Sequence, residues 1–228
     1  MIKVDAILFD MDGVLVDESQ SYRYTIKKTA EFFIGDEIQF LEIQQMKNRG
    51  GFNNDWDCTH AIISAHGKDV YHWEVVDKFQ EYYLGKNFDG FIKNETWLLK
   101  HQVLETLFQQ HALGIVTGRP RKEAEFVLSR FEKADYFGAL IAMEDTPPGK
   151  GKPEPDGIFE AMKKLRARSA VYLGDTVDDI SAALSAEIIP IGVLTDNDRS
   201  EKQINVLKSH GAQQVLNDVN EIVEILDW

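Results

Sequence analysis

An α/β fold built on a parallel, Rossmann-like sheet, with a helical domain inserted after the first strand, is what this sequence predicts. Three observations carry the prediction. Short apolar runs alternate with segments of helical spacing, the pattern of βαβ units. The first run, Val4-Asp5-Ala6-Ile7-Leu8-Phe9, is nearly continuous where a one-faced strand would alternate, as expected of a strand covered on both sides. About 95 residues then separate it from the next strand, far more than one crossover connection requires.

Taken in order, the first strand stops at Asp10-Met11-Asp12-Gly13. Two carboxylates thus stand at the carboxyl end of a buried strand, the rim where such sheets bind ligands. An Asp-Gly turn also forms for backbone reasons alone, so this motif by itself leaves a solvated turn and an ion site both open. Residues 17–88 read as helical throughout: Tyr24, Ile26, Thr29, Phe32 and Phe33, then Trp73, Val76, Phe79, Tyr82 and Tyr83, recur at helical spacing with no strand pattern between them. The segment is expected to be a cap domain set as a lid over the carboxylate rim, leaving residues 1–16 and 89–228 as the core. Val16 to Glu18 and Phe88 to Phe91 are the expected hinges, the second eased by Gly90.

A helix from near Thr96 to Gln110 resumes the core. Strands are expected at Ala112 to Val116, Ala139 to Met143, Ala170 to Leu173, Ile188 to Leu194 and Gln214 to Leu216. The helices between them are expected at Arg121 to Phe131, Pro155 to Leu165 and Asp178 to Ala186, with a last one from Val219 to Leu226.

Further core strands also end in residues with phosphate or metal chemistry. The second gives Val116-Thr117-Gly118-Arg119: a hydroxyl on Thr117 and a Gly118 N–H near a helix start suit an anion, although Thr117 taken alone reads first as a helix cap or turn residue. The loop after the third, Pro147 to Pro155, restricts the backbone around Lys152, with Lys150 as a competitor. The fourth leads into Gly174-Asp175-Thr176-Val177-Asp178-Asp179, where Asp175 and Asp179 lie one helical turn apart; Thr176 and Asp179 also fit a capping box. Asp10, Asp12 and Asp175 at one rim form a dense negative cluster that a hard cation with oxygen ligands would relieve. Mg²⁺ suits it, because magnesium takes one or two carboxylates together with substrate phosphate oxygens.

These four segments, DMDGVLVD at 10 to 17, VTGR at 116 to 119, GKPEP at 151 to 155 and GDTVDDI at 174 to 180, resemble in order and spacing the haloacid dehalogenase superfamily. The helical insertion is similar to the cap of its phosphoglycolate phosphatase and β-phosphoglucomutase branch. The resemblance implies that Asp10 attacks phosphorus and that Asp12 is general acid and base. It implies a metal held by Asp10, the main-chain carbonyl of Asp12 and Asp175, with Asp179, or less strongly Asp178, in support. Thr117 and Gly118 would bind the phosphoryl oxygens, and Lys152 would balance charge. Asp12 favours phosphoryl transfer over cleavage of a carbon–halogen bond, since the dehalogenases generally lack that second acid.

A Mg²⁺-dependent phosphatase acting on a small phosphorylated metabolite is therefore expected. A phosphomutase is the alternative, since Val14 resembles the mutase variant DGV, and a phosphate-accepting signalling module is less favoured because of the inserted lid and the Asp-x-Asp pair. Substrate contacts are sought in the loop Lys47 to Asn54, especially Lys47 and Arg49, and at Arg119; a polar helix connection and a solvated helix start are the plain readings of the same residues.

Composition narrows the partners. With 38 acidic and 25 basic residues the formal charge is −13, which opposes non-specific association with nucleic acid or anionic membrane and leaves small molecules. Cys58 is the single cysteine, so there is no intrachain disulfide, and no Cys/His cluster has zinc spacing. The first residues are already a core strand, and no apolar run approaches the ~20 residues needed to span a bilayer, so a cytoplasmic protein is expected.

Overall fold

The structure, a computed structural model, describes residues 1–47, 49, 54–195 and 198–227. Two compact units emerge: Met1–Asp17 with Trp97–Trp228, and Glu18–Thr96. In chain order, β1 (Ala6–Phe9) and β2 (Val16–Asp17) lead into the second unit. This contains α1 (Tyr22–Ile34), α2 (Phe40–Lys47), α3 (Asp55–Ala65), α4 (His72–Leu84) and a 3-10 turn at Phe91–Asn94. After β3 (Thr96–Trp97) come α5 (His101–Gln110), β4 (Ala112–Val116), α6 (Arg121–Arg130), β5 (Ala139–Ile141) and α7 (Asp156–Leu165). Then follow β6 (Ala170–Gly174), α8 (Val177–Ser185), β7 (Ile189–Val193), α9 (Glu201–Ser209) and β8 (Gln214–Leu216).

The six-stranded sheet has the order β5-β4-β1-β6-β7-β8 with every pairing parallel, as the alternating pattern predicts. Strand β1 is central, and all four of its residues are fully buried, which accounts for its near-continuous apolar run. Register then fixes the rim. Phe9 lies opposite both Ile115 and Leu173, so Asp10 is level with Val116 and Gly174, and Thr117 and Asp175 follow one residue on. Three separate stretches of sequence are brought to one edge by strand pairing alone.

In the helical unit, Ile26, Ala30, Ile43, Cys58, Ile62, Ile63, Val75, Phe79 and Tyr83 are fully buried, so the apolar spacing builds a core of its own. Residues 91–95 belong to this unit, which corrects the expected boundary at 88. The reason is Glu95, fully buried, which accepts from Ser21 Oγ at 2.8 Å and from Tyr83 Oη at 3.0 Å.

Three smaller expectations also change. The helix expected from Thr96 begins at His101, because Thr96 and Trp97 form β3, which pairs with β2. Strand β5 ends at Ile141, since the Met143 N–H turns away to the Arg119 carbonyl at 2.9 Å. The terminal helix is a 3-10 turn, Val219–Glu224, opened by Asp218, whose side chain accepts from the Asn220 N–H at 2.7 Å. No helix among the described residues is long and apolar enough to cross a membrane.

Candidate active site

Asp10 follows β1 directly, its N–H donating to the Leu173 carbonyl at 2.8 Å. Its Oδ1 accepts from the Met11 N–H at 2.8 Å and lies 2.9 Å from Lys152 Nζ. Burial pushes the Asp10 carboxyl from its usual 3.8 up to about 7; Lys152 opposes the rise, and the carboxylates of Asp179 and Asp12 add to it. The turn after it needs Gly13: φ is +71°, and a Cβ there would lie 2.6 Å from Asp175 Oδ2. Chain and carboxylate thus approach more closely than any side chain at 13 permits.

Lys152 is the lysine of the proline-rich loop that reaches the site. Its ammonium bridges Asp10 Oδ1 at 2.9 Å and Asp179 Oδ1 at 2.6 Å, while the half-exposed Lys150 lies 3.5 Å from Glu154. Burial works against the Lys152 charge, but Asp10 and Asp179 overcome it and hold its pKa well above the ordinary lysine value. The bond between Lys152 and Pro153 is cis.

Asp179 serves both readings the sequence offered. Its Oδ2 accepts from the Thr176 N–H at 3.0 Å and hydroxyl at 2.6 Å, completing the capping box of α8, while Oδ1 faces Lys152. Gly174 makes this possible, for a Cβ there would sit 2.1 Å from the Asp179 Cβ. Asp178, by contrast, is only half-buried. One carboxylate oxygen each from Asp10, Asp175 and Asp179 lie within 4.8 Å of one another. That set, all hard oxygen donors, fits a magnesium ion and would not suit zinc. The Asp12 carboxylate stands apart from the cluster and engages Arg119.

Thr117, buried at the end of β4, accepts the Arg119 N–H on Oγ1 at 3.1 Å; Gly118 beside it is exposed. A cavity of about 390 Å³ opens here, with Thr117, Gly118, Thr146, Lys152 and Gly157 among its lining residues. Arg119 is neither on α6 nor solvated as a helix start would be. Its side chain is 1% exposed and its guanidinium lies against Asp12.

Sequence reasoning missed Tyr172. Its hydroxyl lies 2.9 Å from the Val116 carbonyl oxygen and 3.2 Å from Asp179 Oδ1, and its ring passes 5.8 Å beneath Lys152 Nζ. A tyrosine inside a strand otherwise made of apolar residues was the available signal, because a buried phenol needs a polar partner.

In the helical unit Lys47 is not a free cation: it pairs with Asp55 at 2.6 Å. Asn54 caps α3, and Arg49 is exposed. Asn48, Gly50, Gly51, Phe52 and Asn53 of the expected substrate loop lie outside the described residues.

Residues 4–187 match the family described as haloacid dehalogenase-like hydrolase. The chain is 38% identical over 205 residues to a protein of Phytophthora nicotianae named imidazoleglycerol-phosphate dehydratase, covering 84% of this chain but only 44% of that longer one. It is 29% identical over 235 residues to a protein of Caldanaerobacter subterraneus provisionally named pyrophosphatase PpaX, covering 99% of this chain and 96% of the other. A crystal structure of a phosphoglycolate phosphatase predicted in Haemophilus somnus superposes with a TM-score of 0.77 at 19% identity, over 97% of each chain, and so shares the fold.

Proposed function

The chain belongs to the haloacid dehalogenase-like hydrolases, and within that family we propose that it is a phosphatase, releasing phosphate from a small metabolite by way of a phosphoryl group carried on Asp10. One observation carries the reading: a buried carboxylate at a strand end, Asp10, is held against a buried ammonium, Lys152, with two further carboxylates, Asp175 and Asp179, at its side. A nucleophile of this kind must be ionised and aimed; the Lys152 contact opposes the rise that burial imposes on the Asp10 carboxyl, and together with the Met11 N–H it fixes Oδ1.

Asp10 attacks phosphorus as the bond to the leaving oxygen breaks, and Asp12 gives that oxygen a proton. Water then attacks the same phosphorus, Asp12 takes a proton from it, and the Asp10–phosphorus bond breaks to free phosphate. The Thr117 hydroxyl and the Gly118 N–H hold phosphoryl oxygens. Asp179, with Lys152 on one oxygen and Thr176 on the other, keeps the ammonium in place. Mg²⁺, held by Asp10, Asp175 and the Asp12 carbonyl, would draw charge from the phosphoryl group and offset the repulsion among the carboxylates.

The test is phosphate release from inorganic pyrophosphate, 2-phosphoglycolate, hexose monophosphates and an imidazole-bearing phosphate monoester, with Mg²⁺ or EDTA, for wild type and Asp10→Asn. The panel follows the names of the relatives and the small volume of the cavity. Metal-dependent release that falls by more than about 10³-fold in Asp10→Asn is the expected result. Activity surviving in that variant would refute the covalent route, and isomerised sugar phosphate without free phosphate would mark a mutase instead.

A further inference from the structure

Among the described residues Arg119 is the largest fully buried side chain, and its guanidinium meets a residue 107 positions earlier in the chain. Its Nε donates to Asp12 Oδ1 at 2.7 Å, and Nη2 donates to the same oxygen. Its main chain is fixed as well: the N–H donates to Thr117 Oγ1 at 3.1 Å, and the carbonyl accepts the Met143 N–H at 2.9 Å. The residue therefore touches the proposed acid/base with its side chain and the proposed phosphate anchor with its backbone.

From this geometry, and resting on the role proposed for Asp12, we infer that Arg119 is a positioning residue that aims the Asp12 carboxylate at the leaving oxygen and then at the attacking water. Two donors on Oδ1 fix the side-chain torsions of Asp12 and leave Oδ2 as the oxygen that passes the proton. In the first step Oδ2–H gives its proton to the leaving oxygen as that oxygen parts from phosphorus; in the second Oδ2 takes a proton from the water that attacks. Because Thr117 Oγ1 accepts from the Arg119 N–H, its own hydroxyl hydrogen is turned outward to donate to a phosphoryl oxygen. One residue thus sets the relative placement of anchor and acid. Lysine offers a single point of attachment where arginine offers a planar fork, so it would hold Asp12 without fixing its torsions.

A buried ion pair retained only for packing would act on stability whatever the leaving group, so leaving-group dependence separates aim from stability. The rate constant kcat/KM reports the transfer to Asp10, and it depends on an acid only when the leaving group needs a proton. Wild type, Asp12→Asn, Arg119→Met, Arg119→Lys and the Asp12→Asn/Arg119→Met double variant are compared on the best alkyl phosphate and on 2,4-dinitrophenyl phosphate, whose phenolate leaves unprotonated. Arg119→Met is expected to lose about 10²-fold in kcat/KM on the alkyl ester and less than about threefold on the dinitrophenyl ester. Arg119→Lys falls between, and the double variant is no worse than Asp12→Asn alone, since residues acting as one unit are not additive. Equal losses on both esters, or losses that multiply in the double variant, overturn the proposal. If Arg119→Met does not fold, Arg119→Lys must show the same leaving-group selectivity or the proposal fails. Selectivity in Asp12→Asn but not in the Arg119 variants sinks only the positioning role; no selectivity in Asp12→Asn sinks the acid role and this inference with it.

Discussion

Both units bury charged groups, scattered in the helical unit and clustered at the sheet rim. In the helical unit Lys47 meets Asp55 one to one, and the buried Glu95 accepts from two neutral hydroxyls, those of Ser21 and Tyr83. At the rim one carboxylate oxygen each of Asp10, Asp175 and Asp179 lies within 4.8 Å of the others, Lys152 bridges Asp10 and Asp179, and Arg119 engages Asp12. Burying a charge is costly unless it is paired and hydrogen-bonded. Where the role is to hold the fold, charged groups stand as isolated pairs or are hydrogen-bonded to hydroxyls; at the rim several carboxylates are brought close together, an arrangement that the proposed Mg²⁺ would relieve.

The largest effect that would sharpen this contrast is expected from Lys152→Met. It leaves Asp10 and Asp179 buried without their shared cation, so urea unfolding should show a loss of about 3–5 kcal/mol, together with loss of turnover. A rim that tolerates this change at little cost would mean that its charges are better solvated than their burial indicates.

Next comes a change in the opposite direction. Because the folded Asp10 carboxyl titrates at about 7 against an ordinary 3.8, the folded protein holds a proton there that the unfolded chain has released. Its contribution to stability therefore falls as pH rises from about 4 to about 7. Melting curves of metal-free protein should show Asp10→Asn more stable than wild type, by a margin that is larger at pH 8 than at pH 5. Mg²⁺ should raise the melting temperature of wild type more than that of the variant. A pH-independent margin would break the account of Asp10.

The smallest effect belongs to the helical unit. Glu95→Gln keeps an acceptor for the Ser21 and Tyr83 hydroxyls, so it should cost only about 1 kcal/mol in urea unfolding, with a margin unmoved by Mg²⁺. A metal-dependent response there would erase the distinction between the two units.

Much of the rim was legible because three of the motifs sit at strand ends, and a strand end can be read from a run of apolar residues giving way to a turn. Asp10, Thr117 and Asp175 come to one edge for that reason, within one residue of each other in the register of β1 with β4 and β6. Lys152 was legible as one of two candidates, and only the path of the loop separates it from Lys150. Arg119 looked like the start of a surface helix because nothing local reveals a partner 107 residues away. Tyr172 was hidden among apolar neighbours, and the end of the helical unit was misplaced because Glu95 is an ordinary polar residue until Ser21 and Tyr83 meet it.

The sequence by itself determined the class of sheet, the helical insertion, and the residue types at the strand ends, since these follow from periodicity, chain reach and local turn chemistry, all of which act over a few residues. Tertiary structure alone decided which acid each cation serves: Lys152 to Asp10 and Asp179, Arg119 to Asp12, Lys47 to Asp55. It also decided that Asp10 is pushed toward neutrality. Pairing and desolvation depend on distances between segments far apart in the chain, and those distances exist only once the strands have paired and water has been excluded.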